Sequence, residues 1–159
     1  MAATNVPESF RKSPICYNLT AEQVDKLFQM FTRKAVAAGG TVFLENMQGE
    51  ALYLIEKGMV RLSKMLAEGD EQVMAILGPK DLFGEMAVFA GENRMASARV
   101  AEDVVLYSLG RSDYEVLAQS DCRLCLQLTR NIISVFSRRI RSAQQEYRDM
   151  LLAAIGRSG

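Results

Sequence analysis

The chain of 159 residues contains no histidine. That absence excludes His-ligated haem, zinc sites that need imidazole, and hydrolysis by a Ser-His or Cys-His pair. Cysteine is scarce as well. Cys16, Cys122 and Cys125 are the full set, too few for the four thiolates of an ordinary iron–sulfur cluster. Net charge is missing, because 19 basic and 19 acidic side chains cancel, and with it goes the electrostatic footprint of a nucleic-acid binder. No apolar run approaches the ~20 residues needed to span a bilayer. Met1 to Pro7 lacks the basic and apolar regions of a secretory leader. These absences lead us to expect a cytoplasmic protein that is not an enzyme. It should carry no cofactor or metal, and neither nucleic acid nor a membrane should be its partner.

What is present is ordinary for a globular chain: 49% apolar and 24% charged residues, enough for one domain that buries roughly 70% of its unfolded surface. Residues 1–19 read as a mixed lead-in with one helical turn between Pro7 and Pro14. Thr20, with Gln23 three residues on, forms a capping-box pattern. Val24, Leu27, Phe28 and Phe31 then recur at helical spacing, predicting a helix to about Thr32. From Lys34 the pattern turns to short strands punctuated by glycine: 34–37, Thr41 to Leu44, Ala51 to Glu56, Met59 to Met65, Gln72 to Leu77, Ala96 to Val100 and Val104 to Leu109. Turns are expected at Glu45-Asn46, at Lys57-Gly58 and over Ala67 to Asp70. Short strands at near-regular spacing predict an antiparallel barrel or sandwich. Ser112 with Glu115 suggests a second capping box and a helix to about Gln119. Ser120 or Asp121 then opens a terminal helix reaching about Ile155, on the order of 50 Å long. Cys122 and Cys125 have redox-motif spacing but lie at that helix's start, where a disulfide three residues apart is strained. Structural thiols are the expected reading, with a redox sensor as a competitor.

Along the terminal helix Leu126, Thr129, Ile133, Phe136, Ile140, Ala143, Tyr147, Met150 and Ala154 step by alternating threes and fours. That is a heptad seam. Leu124, Leu128 and Ile132 are expected to face the core, and the seam beyond Ile140 to face a partner helix. Arg138, Arg139 and Arg141 form a basic cluster, read first as a solvated face.

The stretch that carries chemistry is Phe83-Gly-Glu-Met-Ala-Val-Phe-Ala-Gly-Glu-Asn-Arg-Met-Ala-Ser-Ala-Arg-Val100. A one-turn helix over Glu85 to Phe89, opening on small residues, offers backbone N–H groups to an anion. Arg94 adds a planar fork suited to phosphate. Glu85 fits beside it as an acceptor for a neutral hydroxyl. Anion grip plus hydroxyl acceptor reads as a phosphorylated sugar.

Phe83-Gly84-Glu85, the helical Met86-Ala87-Val88, and Arg94 nine positions after Glu85 followed by Met95-Ala96-Ser97 resemble the phosphate-binding cassette of cyclic-nucleotide-binding domains. The family includes the catabolite activator, kinase regulatory subunits and nucleotide-gated channels. The resemblance, which runs from about Thr20 to Ile155, implies a mainly β fold. That fold is an antiparallel β-roll (a double-stranded β-helix or jelly-roll barrel) with an N-terminal helix, a cassette helix and a long C-terminal dimerisation helix. It implies a ligand-binding unit at 20–121 and a relay helix at 122–159. Glu85 would hold a ribose 2′-hydroxyl and Arg94 the cyclic phosphate, with backbone N–H groups of Ala87 and Ala96 completing the cradle. Ser97 would face the base or phosphate, and Arg139 on the long helix would reach back over the ligand. Gly49 and Gly58 sit where the family turns its roll, and Asn46 stands where a turn glycine is common. Met95 departs from the small residue usual at its position, and a degenerate cassette with Met95 filling the phosphate space is the competing expectation. The implied function is a homodimeric, non-catalytic sensor of cAMP or cGMP. With only Gly156 to Gly159 after the helix, no DNA-binding domain is expected, and output would pass to a downstream protein partner.

Overall fold

The computed structural model describes residues 5–156. The readings placed on Met1 to Thr4 and on Arg157 to Gly159 lie outside the described residues. The chain begins with helix α1 (Glu8–Arg11), a 3₁₀ turn (Pro14–Cys16) and helix α2 (Ala21–Phe28). Strands β1 (Thr32–Val36), β2 (Thr41–Phe43), β3 (Ala51–Ala67), β4 (Asp70–Leu77) and β5 (Leu82–Phe83) follow. Helix α3 (Glu85–Phe89) leads into β6 (Ser97–Gly110), and helices α4 (Arg111–Ser120) and α5 (Cys122–Ala154) close the chain. All strand pairings are antiparallel, in the order β1-β6-β3-β4, with β2 also on β6 and β5 also on β3. This is the expected antiparallel β-roll with flanking helices.

Two pairs of expected strands are fused. Gly58 does take a left-handed φ of 86°, but the chain does not reverse there. Asp103 of β6 runs opposite, its carbonyl oxygen 2.1 Å from where a Gly58 Cβ would be. With β6 already paired across the position, the extra residue becomes a bulge, and register shifts cluster between Ile55 and Val60. The bulge bends β3 and β6 together, so one long ladder supplies both halves of the roll. A clean break in the sequence pattern at Lys57-Gly58 and at Ala101 to Asp103 thus marks a corner and not two hairpins.

Side chains on β3 alternate between two cores, as successive strand residues must. Leu52 and Leu54 face the helices with Phe10, Ile15, Leu27, Leu109, Leu117, Leu124 and Leu128. Tyr53 and Ile55 face the roll interior with Val60, Phe83, Val100, Val104 and Leu106. Burial on both faces is why Leu52 to Ile55 reads as an unbroken apolar run.

The lead-in is part of the helix-side core. Phe10 and Ile15 are fully buried, and Phe10 makes edge contacts with Phe28, Phe31 and Tyr107 at centroid distances of 4.9, 5.2 and 5.4 Å. Thr20 and Gln23 form the reciprocal capping box that opens α2. That helix stops at Phe28, short of Thr32, because Met30 and Phe31 close tight turns onto Leu27 and Phe28 and bring Phe31 into the core. The second expected capping box does not form. β6 runs straight into α4, whose N-cap is Gly110 with no side-chain bond, and the Arg111 N–H donates to the Glu50 carbonyl at 2.7 Å. Asp121 does cap α5: its carboxylate accepts from the Leu124 N–H at 3.1 Å and pairs with Lys26 at 2.8 Å. These two bonds hold its carboxyl below the usual range, Lys26 contributing most.

The fully buried part of helix α5 is its first third. Leu124, Cys125, Leu128, Asn131 and Ile132 are its buried residues. The Asn131 side-chain amide donates to the carbonyls of Ile15 and Tyr17, both at 2.8 Å. The heptad seam is exposed before Ile140 as well as past it, at Leu126, Ile133, Ile140, Tyr147 and Met150, while Thr129 and Phe136 are half-buried. Among the described residues no helix is long and apolar enough to cross a membrane.

Replacing Phe10 by Ala should cost about 3–5 kcal/mol, the range for losing a buried aromatic ring, and lower Tm by roughly 6–20 °C for a chain of this size. An unshifted melting curve would show that the lead-in only rests on the roll.

Candidate functional site

Arg94 is drawn inside the protein by its own backbone. Its N–H donates to the Met47 carbonyl and its carbonyl accepts from the Asn46 N–H, both at 2.8 Å. Asn46 takes the left-handed conformation there, with φ 66°. The side chain is 6% exposed. Nη1 donates to the Gly84 carbonyl at 3.0 Å and Nη2 to the Ala51 carbonyl at 2.9 Å. The guanidinium carbon stands 4.0 Å over the Phe43 ring and 5.7 Å from that of Tyr53. Nε has no partner among the described residues.

Two glycines make room for this group. Gly84, the N-cap of α3, has φ 79°, and a Cβ there would lie 2.6 Å from Arg94 Nη1. Gly49 is needed for a different reason from the one its position suggests. It is not in the left-handed region. A Cβ on it would sit 2.5 Å from Ala87 Cβ and 2.6 Å from Arg94 Nε, so close approach, not turn geometry, demands glycine.

Glu85, the first residue of α3, is 7% exposed, and no described residue donates a hydrogen bond to its carboxylate. Burial pulls the Arg94 pKa down, while the charges of Tyr53 and Glu85 pull it back up. The guanidinium stays protonated in any case. Carbonyls and ring faces offer it dipoles, and no described carboxylate lies within ion-pair distance. A buried cation left in this condition calls for an anion.

Arg94 and Glu85 line one cavity of about 250 Å³. Phe83, Gly84, Met86 and Ala87 contribute from the start of α3, and Asn93, Met95 and Ala96 from the loop before β6. Phe43 and Leu62 form the roll wall, and Phe136 and Arg139 close the top from α5. Arg139 also donates to the Leu82 carbonyl, which ties α5 to β5. Nine of the sequence-predicted residues are therefore brought together around one space. Ser97 is not among them. Its buried hydroxyl accepts from the Glu45 N–H at 2.9 Å. Met95 is 59% exposed, so its side chain does not fill the phosphate space.

Phe43, Leu62, Asn93 and Phe136 were missed. Phe136 carried a usable signal, since it precedes Arg139 by one helical turn and must share its face. Leu62 and Phe43 carried none, because only the closure of the roll brings their strands beside α3. A larger groove of about 890 Å³ lies on the other side of Arg94. Its rim mixes Lys34 and Arg111 with Glu50, Asp113 and Glu115, and Arg111 already pairs with Glu115 at 3.6 Å. It offers an anion no net field. Cys122 is exposed and Cys125 buried, and neither is in a disulfide.

Residues 33–125 match the sequence profile of the cyclic nucleotide-binding domain. The chain belongs to that family. The cyclic nucleotide-binding domain is a regulatory, non-catalytic module, in keeping with a site built from an anion grip and a hydroxyl acceptor. The chain is 38% identical over 134 residues to the cyclic AMP receptor protein of Thermus thermophilus, covering 84% of this chain and 60% of that one. It is 27% identical to the anaerobic regulatory protein of Bacillus subtilis, over 84% of this chain and 55% of that protein. It thus spans a little over half the length of these two relatives. Among solved structures, the catabolite activator protein of T. thermophilus superposes with a TM-score of 0.75 at 37% identity, covering 87% of this chain and 63% of that one. The N-terminal domain of a transcriptional regulator from Streptomyces coelicolor superposes with a TM-score of 0.72 at 27% identity, over 88% of this chain and 95% of that one.

Gly49→Ala places a methyl against both Ala87 and Arg94. Overpacking of this kind costs about 1–3 kcal/mol, so Tm should fall by roughly 2–12 °C. A melting point equal to the parent's would mean that Arg94 is free to move aside.

Proposed function

We propose that this cyclic nucleotide-binding domain is a sensor of a cyclic purine monophosphate, and that it works as a homodimer. The observation that carries the reading is the pairing of Arg94 and Glu85 in one cavity. One is a buried cation without an ion pair, the other a largely buried carboxylate on the cavity wall with no donor among the described residues. A cyclic phosphate joined to a ribose 2′-hydroxyl answers both needs with one molecule. The named activity of the T. thermophilus relative, a cyclic AMP receptor, supports the same reading. Residues 20–121 are then the ligand-binding unit, and 122–159 the segment, built on α5, through which occupancy is relayed to a second copy and to a downstream protein. The nucleotide to be sensed is made inside the cell, so the reading carries a cytoplasmic location with it.

Calorimetric titration with cAMP and cGMP tests this directly. Arg94→Ala should weaken binding by roughly thirty- to several-thousand-fold, since truncating one partner of a buried charge pair costs about 2–5 kcal/mol. Glu85→Ala should cost less, about 1.5–3 kcal/mol for a charge-assisted hydrogen bond, and should erase discrimination against 2′-deoxy analogues. Undiminished binding by Arg94→Ala sinks the assignment.

The open seam on α5 supports the homodimer. Charged substitutions at Ile140 and Tyr147 should yield monomers with an intact β-roll in sedimentation. Dimers that survive both changes would put the interface elsewhere.

A further inference from the structure

We infer that Arg139 reads the base of the bound nucleotide and sets a preference for guanine over adenine. The inference rests on the reading above. With Arg94 holding the phosphate and Glu85 the ribose, both on the cassette side, the base is left to the rest of the cavity wall. Leu62 and Phe136 there are apolar and suit either purine. Arg139 is the charged group that α5 adds to the lining. It has five N–H donors and no acceptor, and one donor is engaged by the Leu82 carbonyl. That bond holds the end of the side chain at the cavity rim and leaves further donors for whatever sits beneath the helix.

A donor-only fork selects for adjacent acceptors. Guanine presents two on one edge, N7 and O6, and an arginine fork meets both. Adenine presents N7 beside the N6 amino group, whose hydrogens face the guanidinium donors. Neither purine has another edge with two neighbouring acceptors. A bidentate contact of this kind discriminates by about 5- to 150-fold. Because Arg139 also grips β5 through Leu82, a base that engages it adds a bond between the roll and α5, and the preferred ligand is also the one that ties the helix down.

The test is titration of the intact protein with cAMP, cGMP and cyclic inosine monophosphate, which keeps N7 and O6 but lacks the 2-amino group. We expect cGMP and the inosine analogue to bind alike, both about 5- to 150-fold more tightly than cAMP. Arg139→Ala should bring all three to a similar affinity, with an unchanged circular dichroism spectrum. If that variant fails to fold, Arg139→Lys keeps the charge, loses the fork and should lose the preference. Parent protein that binds cAMP as tightly as cGMP overturns the inference, and so does a preference that survives the Arg139 substitutions. An inosine analogue that binds as weakly as cAMP overturns it too, since the 2-amino group would then be what is read. Each of those results leaves the sensor reading standing. Failure to bind any of the three nucleotides would instead remove the sensor reading, and this inference with it.

Discussion

A buried arginine without an ion pair among the described residues is the constraint around which this molecule is arranged. Arg94 draws on the carbonyls of Gly84 and Ala51 and on the face of Phe43. Those three groups come from α3's N-cap, the first residue of β3 and the end of β2. Gly84 is far in sequence from the other two, and both of those are far from Arg94, so the roll must close before the guanidinium has its setting. The requirement extends to the glycines, since side chains at 49 or 84 would occupy the space the guanidinium fills. A charge held this way is oriented before any ligand arrives, and the ordering cost has been met on folding instead of on binding.

Much of this is legible in the amino-acid sequence. The cassette helix, the Thr20 cap, the Asp121 cap and the heptad seam all follow from local chemistry, and local chemistry is what a sequence displays. The misreadings share one physical cause. Gly58 suggests a hairpin because a left-handed glycine after a lysine is locally the same in a turn and in a bulge; only the presence of β6 opposite decides. Ser112 suggests a cap, but β6 runs into α4 without a break. In each case a residue distant in the chain outcompetes the local preference. The site's far wall is hidden for the same reason, as Leu62 and Phe43 meet α3 only through the curvature of a bulged ladder.

The cavity belongs to two elements of different character. Its floor is the cassette, locked to the roll by backbone bonds. Its ceiling is Phe136 and Arg139, on a stretch of α5 past the helix's last buried residue. A ligand that contacts both stabilises those positions of α5 in which the contacts are made, by no more than its difference in affinity between them.

Asn131 has a mechanical consequence. Its two bonds to the carbonyls of Ile15 and Tyr17 pin α5 at a fulcrum, with Arg139 two turns beyond it and the helix end at Ala154. The arm from Ile132 to Ala154 is about 33 Å at 1.5 Å per residue. A tilt of about 10° at the fulcrum would move a contact on the ceiling by roughly 2 Å and the tip of the helix by about 6 Å. An adjustment the size of a hydrogen bond's reach above the cavity would become, at the far end, a shift of a full helical turn.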